Sequence, residues 1–253
     1  MKTKIHIVLF TLLNAFLLQA QQQPKGIIGS SNWMNNWTNF KPANTEYNEA
    51  TNIIAGNIDK DTKLVKRNTY QLVGVVYVTN NATLTIEPGT VIRGDDKTCG
   101  TLVVTNGAKI MAEGLETDPI VFTSNKEISE RRPGDWGGII ILGKAPINTL
   151  GGVHILPFNL EPMLNHYGGS DAEDNSGTLK YVRIEYSGRK LSALKELNGL
   201  SLAGVGRKTT LSNIQISYSN DDSFECYGGD LNLNNLISYR TTDDDFDFTQ
   251  GAQ

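Results

Sequence analysis

The sequence predicts an all-β fold, a parallel β-helix, from three observations. Short segments recur at spacings of 22 to 26 residues along much of the chain. Each repeat alternates apolar and polar residues, is rich in Val, Ile, Thr and Tyr, and is punctuated by Gly, Asn and Asp, which is the pattern of short strands. Helical periodicity is almost absent. Such repeats are typical of a solenoid, in which the strands of each coil stack on those of the previous coil.

The first two repeats, VYVTNNATLTIEPG at 76–89 and LVVTNGAKIMAEG at 102–114, match at a constant offset of 26. Three later segments, TLKYVRIEYS, TLSNIQISYS and LNNLISYR, form a second family of copies. We expect one tyrosine from each copy to mark the same place in successive coils: Tyr186, Tyr218 and Tyr239. Tyr186 and Tyr218 share parity with the neighbouring aliphatic residues, which favours an interior or corner stack over an outward platform for sugar rings.

The last repeats, DDSFECYGG at 221–229 and DDDFDFTQG at 243–251, predict which residues face inward. Strand alternation places Phe224 and Cys226 in the core and stacks Phe246 and Phe248 on them. We expect the residues between them to point into solvent: Ser223, Glu225, Asp245 and Asp247. Cys226 and Cys99 are the only cysteines, too few for a disulfide framework, so Cys226 is predicted to be a buried free thiol.

The start of the chain predicts export. Lys2 and Lys4 precede an apolar stretch and a small residue, Ala20, which is the pattern of a secretory signal peptide. The apolar run is shorter than the ~20 residues that span a bilayer, and we expect no transmembrane segment after cleavage. Cleavage after Ala20 removes two lysines, so 23 − 2 = 21 basic residues remain against 27 acidic ones. An acidic chain cannot neutralise phosphates, which argues against a nucleic-acid partner.

The repeat divides the chain into three parts and two insertions. We expect a signal peptide at 1–20, a short N-terminal cap over the first coil at 21–68, and the β-helix at 69–253 with insertions at 144–177 and 189–197. The sequence reaches Gln253 soon after a predicted strand. We therefore expect a helix truncated at its C-terminal end, with edge-to-edge self-association of the last coil as the alternative.

Several blocks of the sequence resemble one known family. In chain order they are TLTIEPGTVIRG, KIMAEG, PIVFTS, GDWGGIIILGKAPIN, DNSGTLKYVRIEYSG, NGLSLAGVG, DDSFECYGG and DDDFDF. They are similar to the exported β-helix proteins of Bacteroidetes, which are usually described as hypothetical proteins, lipoproteins or secretion-sorted surface proteins. The resemblance covers residues 52–253 and implies a right-handed helix of the pectate-lyase-like type, located outside the cell or on its outer surface. It implies no established activity and no catalytic residue. Since the chain shows no lipid-accepting Cys and no sorting domain, a periplasmic location is the alternative.

Acidic residues of the last two repeats are the candidate metal ligands. They are Asp221, Asp222, Glu225, Asp243, Asp244, Asp245 and Asp247, which we call the acidic column. Stacking should place Asp221 and Asp222 over Asp243 and Asp244, and Glu225 over Asp247. Clustered carboxylate oxygens are the ligands that Ca²⁺ takes. A solvated acidic ladder is the competing interpretation, because two exposed charges ~5 Å apart in water repel by only about 1 kcal/mol.

Weaker candidates for binding lie outside the acidic column: Trp136, Arg240, Asp171, Glu173 and Asp174. Trp136, at a Gly-flanked turn, has the chemistry to stack on a sugar ring, with corner packing as the alternative. Arg240 is the basic residue that a polysaccharide lyase would need near its acidic site. The 171–174 loop has carboxylates without the full spacing of a dedicated calcium loop.

The sequence therefore favours a secreted or cell-surface β-solenoid that displays a binding face, adhesin-like or structural. The expected partner is a polysaccharide or another cell-envelope component, and Ca²⁺ is the only expected cofactor. A polysaccharide-degrading β-helix enzyme, a lyase or a hydrolase that uses the acidic column, is the alternative. A groove beside the acidic column favours the enzyme, and a flat face favours binding.

Overall fold

The computed structural model describes residues 32–253, so the predicted signal peptide lies outside the described residues. Met34–Gln253 form one compact unit, and Asn32 and Trp33 belong to a separate N-terminal unit. The described residues form nineteen strands and two short 3₁₀ segments, Pro42–Asn44 and Pro162–Leu164, and contain no α-helix. None of their helical segments has the length and apolarity that a membrane crossing requires.

The strands, in chain order, are β1 Asn52–Ile58, β2 Thr62–Leu64, β3 Thr69–Val78, β4 Thr83–Ile86, β5 Val91–Gly94, β6 Thr101–Val104, β7 Lys109–Glu113, β8 Ile120–Ser124, β9 Gly138–Leu142, β10 Val153–Ile155, β11 His166–Gly168, β12 Gly177–Glu185, β13 Lys190–Ser192, β14 Lys195–Glu196, β15 Leu200–Ala203, β16 Thr210–Ser217, β17 Phe224–Tyr227, β18 Leu233–Tyr239 and β19 Phe246–Thr249.

Fifteen of these strands pair in parallel as one continuous sheet that winds into a right-handed β-helix, as the sequence predicts. Each coil visits three faces in turn. Face 1 holds β5, β8 and the second halves of β12, β16 and β18; face 2 holds β6, β9, β15, β17 and β19; face 3 holds β2, β4 and β7. The longer strands bend between two faces, as β3 does from face 1 to face 2.

The bend from face 3 to face 1 requires a left-handed backbone. Tyr181, Asn213 and Asn235 occupy this bend in three successive coils, with φ of 50°, 53° and 55°. Left-handed angles cost most L-residues roughly 1–2 kcal/mol, and Asn tolerates them best among residues with a side chain. In these three coils a single left-handed residue therefore marks where the chain changes direction, and it is Asn in two of them.

The predicted register of the repeats is confirmed on face 2. Val76 pairs with Leu102, and Phe224 pairs with both Leu200 and Phe246, at the expected offsets. The interior column is closed, since Phe224 and Cys226 are fully buried and Cys226 is a free thiol. Phe246 and Phe248 lie on the same inward column in the last coil, where they remain 43% and 55% exposed.

The predicted alignment of the three tyrosines is wrong by one residue in the last copy. Tyr239 pairs with Ser217, so that Arg240 occupies the position that Tyr218 has in the preceding coil. The cause is spacing from the bend, because Tyr218 follows Asn213 by five residues and Tyr239 follows Asn235 by four. Tyr186 and Tyr218 do form the expected corner stack, with centroids 5.3 Å apart.

The long insertion builds a second hydrophobic core outside face 2. Its strands β10 and β11 pair as an antiparallel hairpin. Apolar residues of the insertion cover outward side chains of face 2; the cluster contains Ile147, Leu156, Phe158 and Tyr167 from the insertion and Tyr77, Val103, Ile140, Leu142, Ala203 and Tyr227 from face 2. The short insertion forms the second antiparallel hairpin, β13 with β14. Both insertions therefore project from face 2 without interrupting the parallel ladder.

The predicted boundary between cap and β-helix lies too late in the chain. β1 already pairs with β3, so the solenoid begins at Asn52, 69 − 52 = 17 residues earlier than expected. β1 is largely exposed, and its Ile53 is 71% exposed. The described part of the predicted cap therefore leaves the first coil open.

Residues 34–50, which we call the strap, lie along the outside of face 1: the segment contacts β12 through Trp37, reaches the last coil at Phe40 and then returns toward the first coil. Its contacts, from the last coil toward the first, are Phe40 with Tyr239, Asn39 with Gln215, Tyr47 with Glu185, and Asn48 with Arg93. Trp37 is fully buried and packs edge-on against Tyr181, with ring centroids 5.8 Å apart. The strap covers a side of the solenoid because polar side chains on face 1 satisfy its backbone there.

Candidate functional site

The acidic column lies where the chain turns from face 1 onto face 2 in the last two coils. Glu225 pairs directly with Asp247, which confirms the predicted stacking of these two residues. On the inward side of the same two strands, Phe224 and Phe246 stack with centroids 5.2 Å apart and planes within 8°. The rigid aromatic pair fixes the strands, and the strands fix the spacing of the carboxylates that point outward.

The structure brings five of the seven predicted ligands into two overlapping groups. Asp221, Asp222 and Asp243 form one group, and Asp222, Glu225 and Asp247 form the other, each with ligand oxygens within 4.8 Å of one another. Asp222 belongs to both groups.

The two remaining members of the acidic column lie outside these groups. Asp244 and Asp245 are exposed, and Asp245 accepts a hydrogen bond from the Ser238 hydroxyl. Neither residue belongs to either group, so the geometry adds no support to the metal-ligand prediction for Asp244 and Asp245.

Asp222 is held rigidly at the centre of the acidic column. Its side chain is 7% exposed, and its Oδ1 accepts a hydrogen bond of 3.0 Å from the Asp244 backbone N–H. Its backbone carbonyl accepts hydrogen bonds from Gly199 N–H and from the Ser219 hydroxyl. A carboxylate fixed in this way is preorganised to share one centre with the rungs on either side.

Burial raises the pKa of the central carboxyl groups. It raises the pKa of Asp221 to about 7, and repulsion from Asp222, Glu196 and Asp243 adds to the effect. It raises the pKa of Asp222 to about 6, although the hydrogen bond from Asp244 opposes this. The crowded carboxylates therefore resist full ionisation, and a proton or a cation relieves them.

Glu225 lies between the two insertions. Burial raises its pKa to about 7, partly offset by hydrogen bonds from the Tyr227 hydroxyl and the Asn198 amide. Tyr227 packs against Tyr167 of the long insertion, with centroids 6.2 Å apart. Asn198 follows the short insertion directly. The insertions thus lie beside the acidic column, and Tyr227 of β17 and Asn198 supply the polar neighbours of Glu225.

Sequence reasoning did not find Asn198 and Tyr227, although NGLSLAGVG was recognised as a repeat. Asn198 precedes the strand, so its amide reaches Glu225 across one rung of the ladder. Tyr227 follows Cys226 at the end of β17 and turns its hydroxyl back toward Glu225. The parity of β17 was a usable signal, because Glu225 and Tyr227 both point outward.

One parity prediction was wrong. Ser223 was expected in solvent, and it is fully buried, with its hydroxyl 2.8 Å from the Ser238 hydroxyl. Ser223 precedes β17 and lies in the turn, where strand alternation does not apply. The adjacent coil covers it through β18.

Trp136 is not a sugar platform, because it is fully buried in the interior of the helix. Its indole N–H donates to the Glu185 carbonyl at 2.8 Å, and its ring stacks on Phe122. A side chain at Gly94 would lie within 2.4 Å of the indole, so this glycine makes room for the ring. Trp136 is therefore a packing residue of the interior, as the alternative interpretation of the sequence held.

Arg240 is exposed and lies over the rings of Tyr218 and Tyr239, at 5.8 and 5.5 Å from their centroids. Its guanidinium forms no ion pair with the acidic column in the described structure. The basic residue that a lyase would require is therefore engaged elsewhere, in a cation–π contact.

The 171–174 loop forms a turn with partners of its own. Glu173 pairs with Arg207 at 3.3 Å and with Lys208 at 3.7 Å. Asp171 Oδ1 accepts from the Glu173 backbone N–H, and buried Asp174 accepts from the Ser176 hydroxyl. The carboxylates of this loop therefore have hydrogen-bond and ion-pair partners of their own. They do not belong to the two groups of the acidic column.

The fold and this site define a class of protein, a parallel β-helix with clustered carboxylates on the outer side of one face. A family model described as a pectate-lyase-like beta helix domain matches residues 56–253. The chain therefore belongs to this family. No curated protein and no solved structure matches the chain.

Proposed function

We propose that this protein is an exported, surface-located β-helix that binds polysaccharide through a calcium-dependent site on the acidic column. The observation that carries the proposal is the position of Asp222, which belongs to two groups of three carboxylates. The residues that would hold Ca²⁺ are Asp221, Asp222, Glu225, Asp243 and Asp247. Membership of a pectate-lyase-like family supports a carbohydrate-related role at the level of the fold.

The chemistry of the site fits a hard divalent cation. Ca²⁺ takes six to eight oxygen ligands, and carboxylates bind it through one or both oxygens. Burial and mutual repulsion raise the pKa of Asp221, Asp222 and Glu225, so these carboxyl groups gain more from a bound cation than solvated surface acids do. Asn198 adds a further observation, since it is 2% exposed and its Oδ1 has no hydrogen-bond partner beside Glu225. An amide oxygen without a donor, next to carboxylates, has the chemistry of a calcium ligand.

The cation also accounts for how an acidic protein would bind a polysaccharide. The acidic column repels uronic acids and other anionic sugars directly. A bound Ca²⁺ with open positions accepts hydroxyl and carboxylate oxygens, and it would bridge such sugars to the protein. The long insertion would border the bound chain on one side, since its buried Tyr167 packs against Tyr227 next to the acidic column.

The test is sedimentation of the protein with insoluble polysaccharides in 2 mM Ca²⁺ and in EDTA. The unbound protein is measured in the supernatant. We expect calcium-dependent retention that Asp222→Asn abolishes and Asp245→Asn leaves intact. Binding that persists in EDTA or in Asp222→Asn would contradict the proposal.

One observation favours a second candidate, a glycoside hydrolase. Glu225 and Asp247 are neighbouring carboxyl groups on one face, flanked by the insertions, which is the pairing that general acid and base catalysis uses. The raised pKa of Glu225 would keep a fraction of it protonated near neutral pH. Release of reducing ends from a panel of polysaccharides, lost in Glu225→Gln, would establish this activity. Binding of a polysaccharide without release of reducing ends would favour the first proposal, calcium-dependent binding.

A further inference from the structure

A cavity of about 250 Å³ lies on face 1, between the solenoid and the end of the strap. Its lining residues are Glu49, Ala50, Gln71, Arg93, Asn125 and Glu127. The acidic column is on face 2, so this cavity, which we call the strap pocket, is a separate feature. Every polar side chain that lines it carries a planar amide, carboxylate or guanidinium group.

Arg93 forms the fixed base of the strap pocket. The residue is 5% exposed, and its two terminal nitrogens donate to the carbonyls of Asn48 and Lys126, both at 3.1 Å. Its Nε has no hydrogen-bond partner among the described residues. Because the guanidinium is held at both ends, it loses little conformational entropy when a ligand binds against it.

The other polar side chains keep hydrogen-bonding capacity for a ligand. Gln71 Nε2 donates to Asp95 at 2.8 Å, which orients the amide and leaves its Oε1 without a donor in the described structure. The side chains of Glu49, Asn125 and Glu127 form no hydrogen bond or ion pair with other described residues. Acceptors and donors therefore converge on one small volume.

The charges of the strap pocket balance. Glu49 and Glu127 act on Arg93 as negative charges, and nearby Arg131 acts as a positive one. Two carboxylates beside two guanidinium groups leave the pocket without net charge, so it does not select for a charged ligand. A hydroxyl group both donates and accepts, so it can use the carboxylates and the amides together.

We propose that the strap pocket binds one neutral monosaccharide unit of a polysaccharide. The cavity of about 250 Å³ is smaller than the roughly 300–1,000 Å³ of pockets that enclose drug-sized ligands, which limits the ligand to a small group such as one sugar unit. The inference extends the proposed polysaccharide binding to a second face, and it requires no metal ion.

The test is calorimetric titration of the purified protein in EDTA with neutral xylo-, gluco- and manno-oligosaccharides, and separately with oligogalacturonate. We expect at least one neutral oligosaccharide to bind, with at least a tenfold loss of affinity in Asn125→Ala and in Glu127→Ala. Glu130→Ala is the matched control, because Glu130 is an exposed glutamate of the same segment outside the pocket. It should bind as the wild type does.

Three results would overturn the inference. They are no binding of any neutral oligosaccharide, equal affinity in the wild type and both pocket variants, and binding of oligogalacturonate alone. EDTA separates this test from the calcium-dependent site, so failure at one face leaves the other test unaffected. Circular dichroism of both variants would verify that they fold, since the two side chains make no contact that the fold requires.

Discussion

The Tyr47 hydroxyl lies 3.0 and 3.2 Å from the two carboxylate oxygens of Glu185, a residue 138 positions later in the chain. Glu185 is 1% exposed and also accepts a hydrogen bond from the Thr123 hydroxyl at 2.9 Å. Burial raises the pKa of Glu185, and Arg183 opposes the effect. The strap is therefore fixed to the middle of the solenoid by a buried, hydrogen-bonded carboxyl group.

Tyr47→Phe should lower the free energy of unfolding by about 1.5–3 kcal/mol, the range for hydrogen bonds to charged groups. The variant leaves Glu185 buried with one donor fewer. Urea unfolding measured by circular dichroism checks the value. Glu46→Gln, at an exposed neighbouring position, is the control and should be within about 0.5 kcal/mol of wild type. Wild-type stability in Tyr47→Phe would show that the strap is not anchored at Glu185.

Phe224→Ala should cost about 3–5 kcal/mol, because it opens a cavity in the closed interior column. Phe246→Ala should cost clearly less, since Phe246 is 43% exposed in the last coil. For the same reason, an aspartate introduced at position 246 would stay partly hydrated, although strand alternation places this position in the core. Equal losses of unfolding free energy in the two variants would contradict the assignment of Phe246 to an open coil.

Asn213→Val should lower stability by roughly 1–2 kcal/mol, because Asn213 has a left-handed φ of 53° that β-branched residues avoid. Asn213→Gly adopts this angle without strain and should stay near wild type. Thermal melts of both variants give the comparison. If glycine is as harmful as valine, the role of Asn213 rests on its side chain and not on its backbone angle.

The free energy of unfolding should rise as the pH falls from 8 to 5 in EDTA, the reverse of ordinary acid denaturation. Folding raises the pKa of Asp221 and Glu225 to about 7 and that of Asp222 to about 6. The folded state thus binds protons more tightly than the unfolded state, and this stability is lost as the pH rises through that range. Urea midpoints at several pH values measure it.

The double variant Asp222→Asn, Glu225→Gln should show a weaker dependence on pH over the same range. It removes two of the three carboxyl groups whose pKa values are raised and keeps side chains of the same shape. A wild-type protein that is more stable at pH 8 than at pH 5 would show that the acidic column is solvated and uncrowded.

The sequence predicted what neighbouring coils determine and missed what distant segments determine. The face 2 register and the stacking of Glu225 with Asp247 follow from repeated residues at fixed offsets, which a comparison of two neighbouring coils reveals. Tyr239 was misplaced because one residue between the bend and the tyrosine shifts its parity. The β-helix itself was nevertheless predicted correctly, because local strand alternation and turn residues indicate it.

The strap and the second core could not be read from the sequence. Tyr47 and Glu185 are far apart in the chain, and neither belongs to a repeat that points to the other. Burial of Trp136 depends on Gly94, whose missing side chain makes space in an adjacent coil. For the acidic column, the sequence pattern gave seven candidate ligands, and only the geometry separated Asp222 from Asp244 and Asp245.

The most direct test of the calcium-dependent acidic column is the thermal midpoint of unfolding in EDTA and in millimolar Ca²⁺, at pH 8. We expect Ca²⁺ to raise it, since a ligand at a hundred times its dissociation constant adds about 2.7 kcal/mol to the folded state. The rise should vanish in Asp222→Asn and persist in Asp245→Asn, because only Asp222 belongs to the two carboxylate groups. No calcium-dependent rise in the wild type, or an equal rise in Asp222→Asn, would contradict the account.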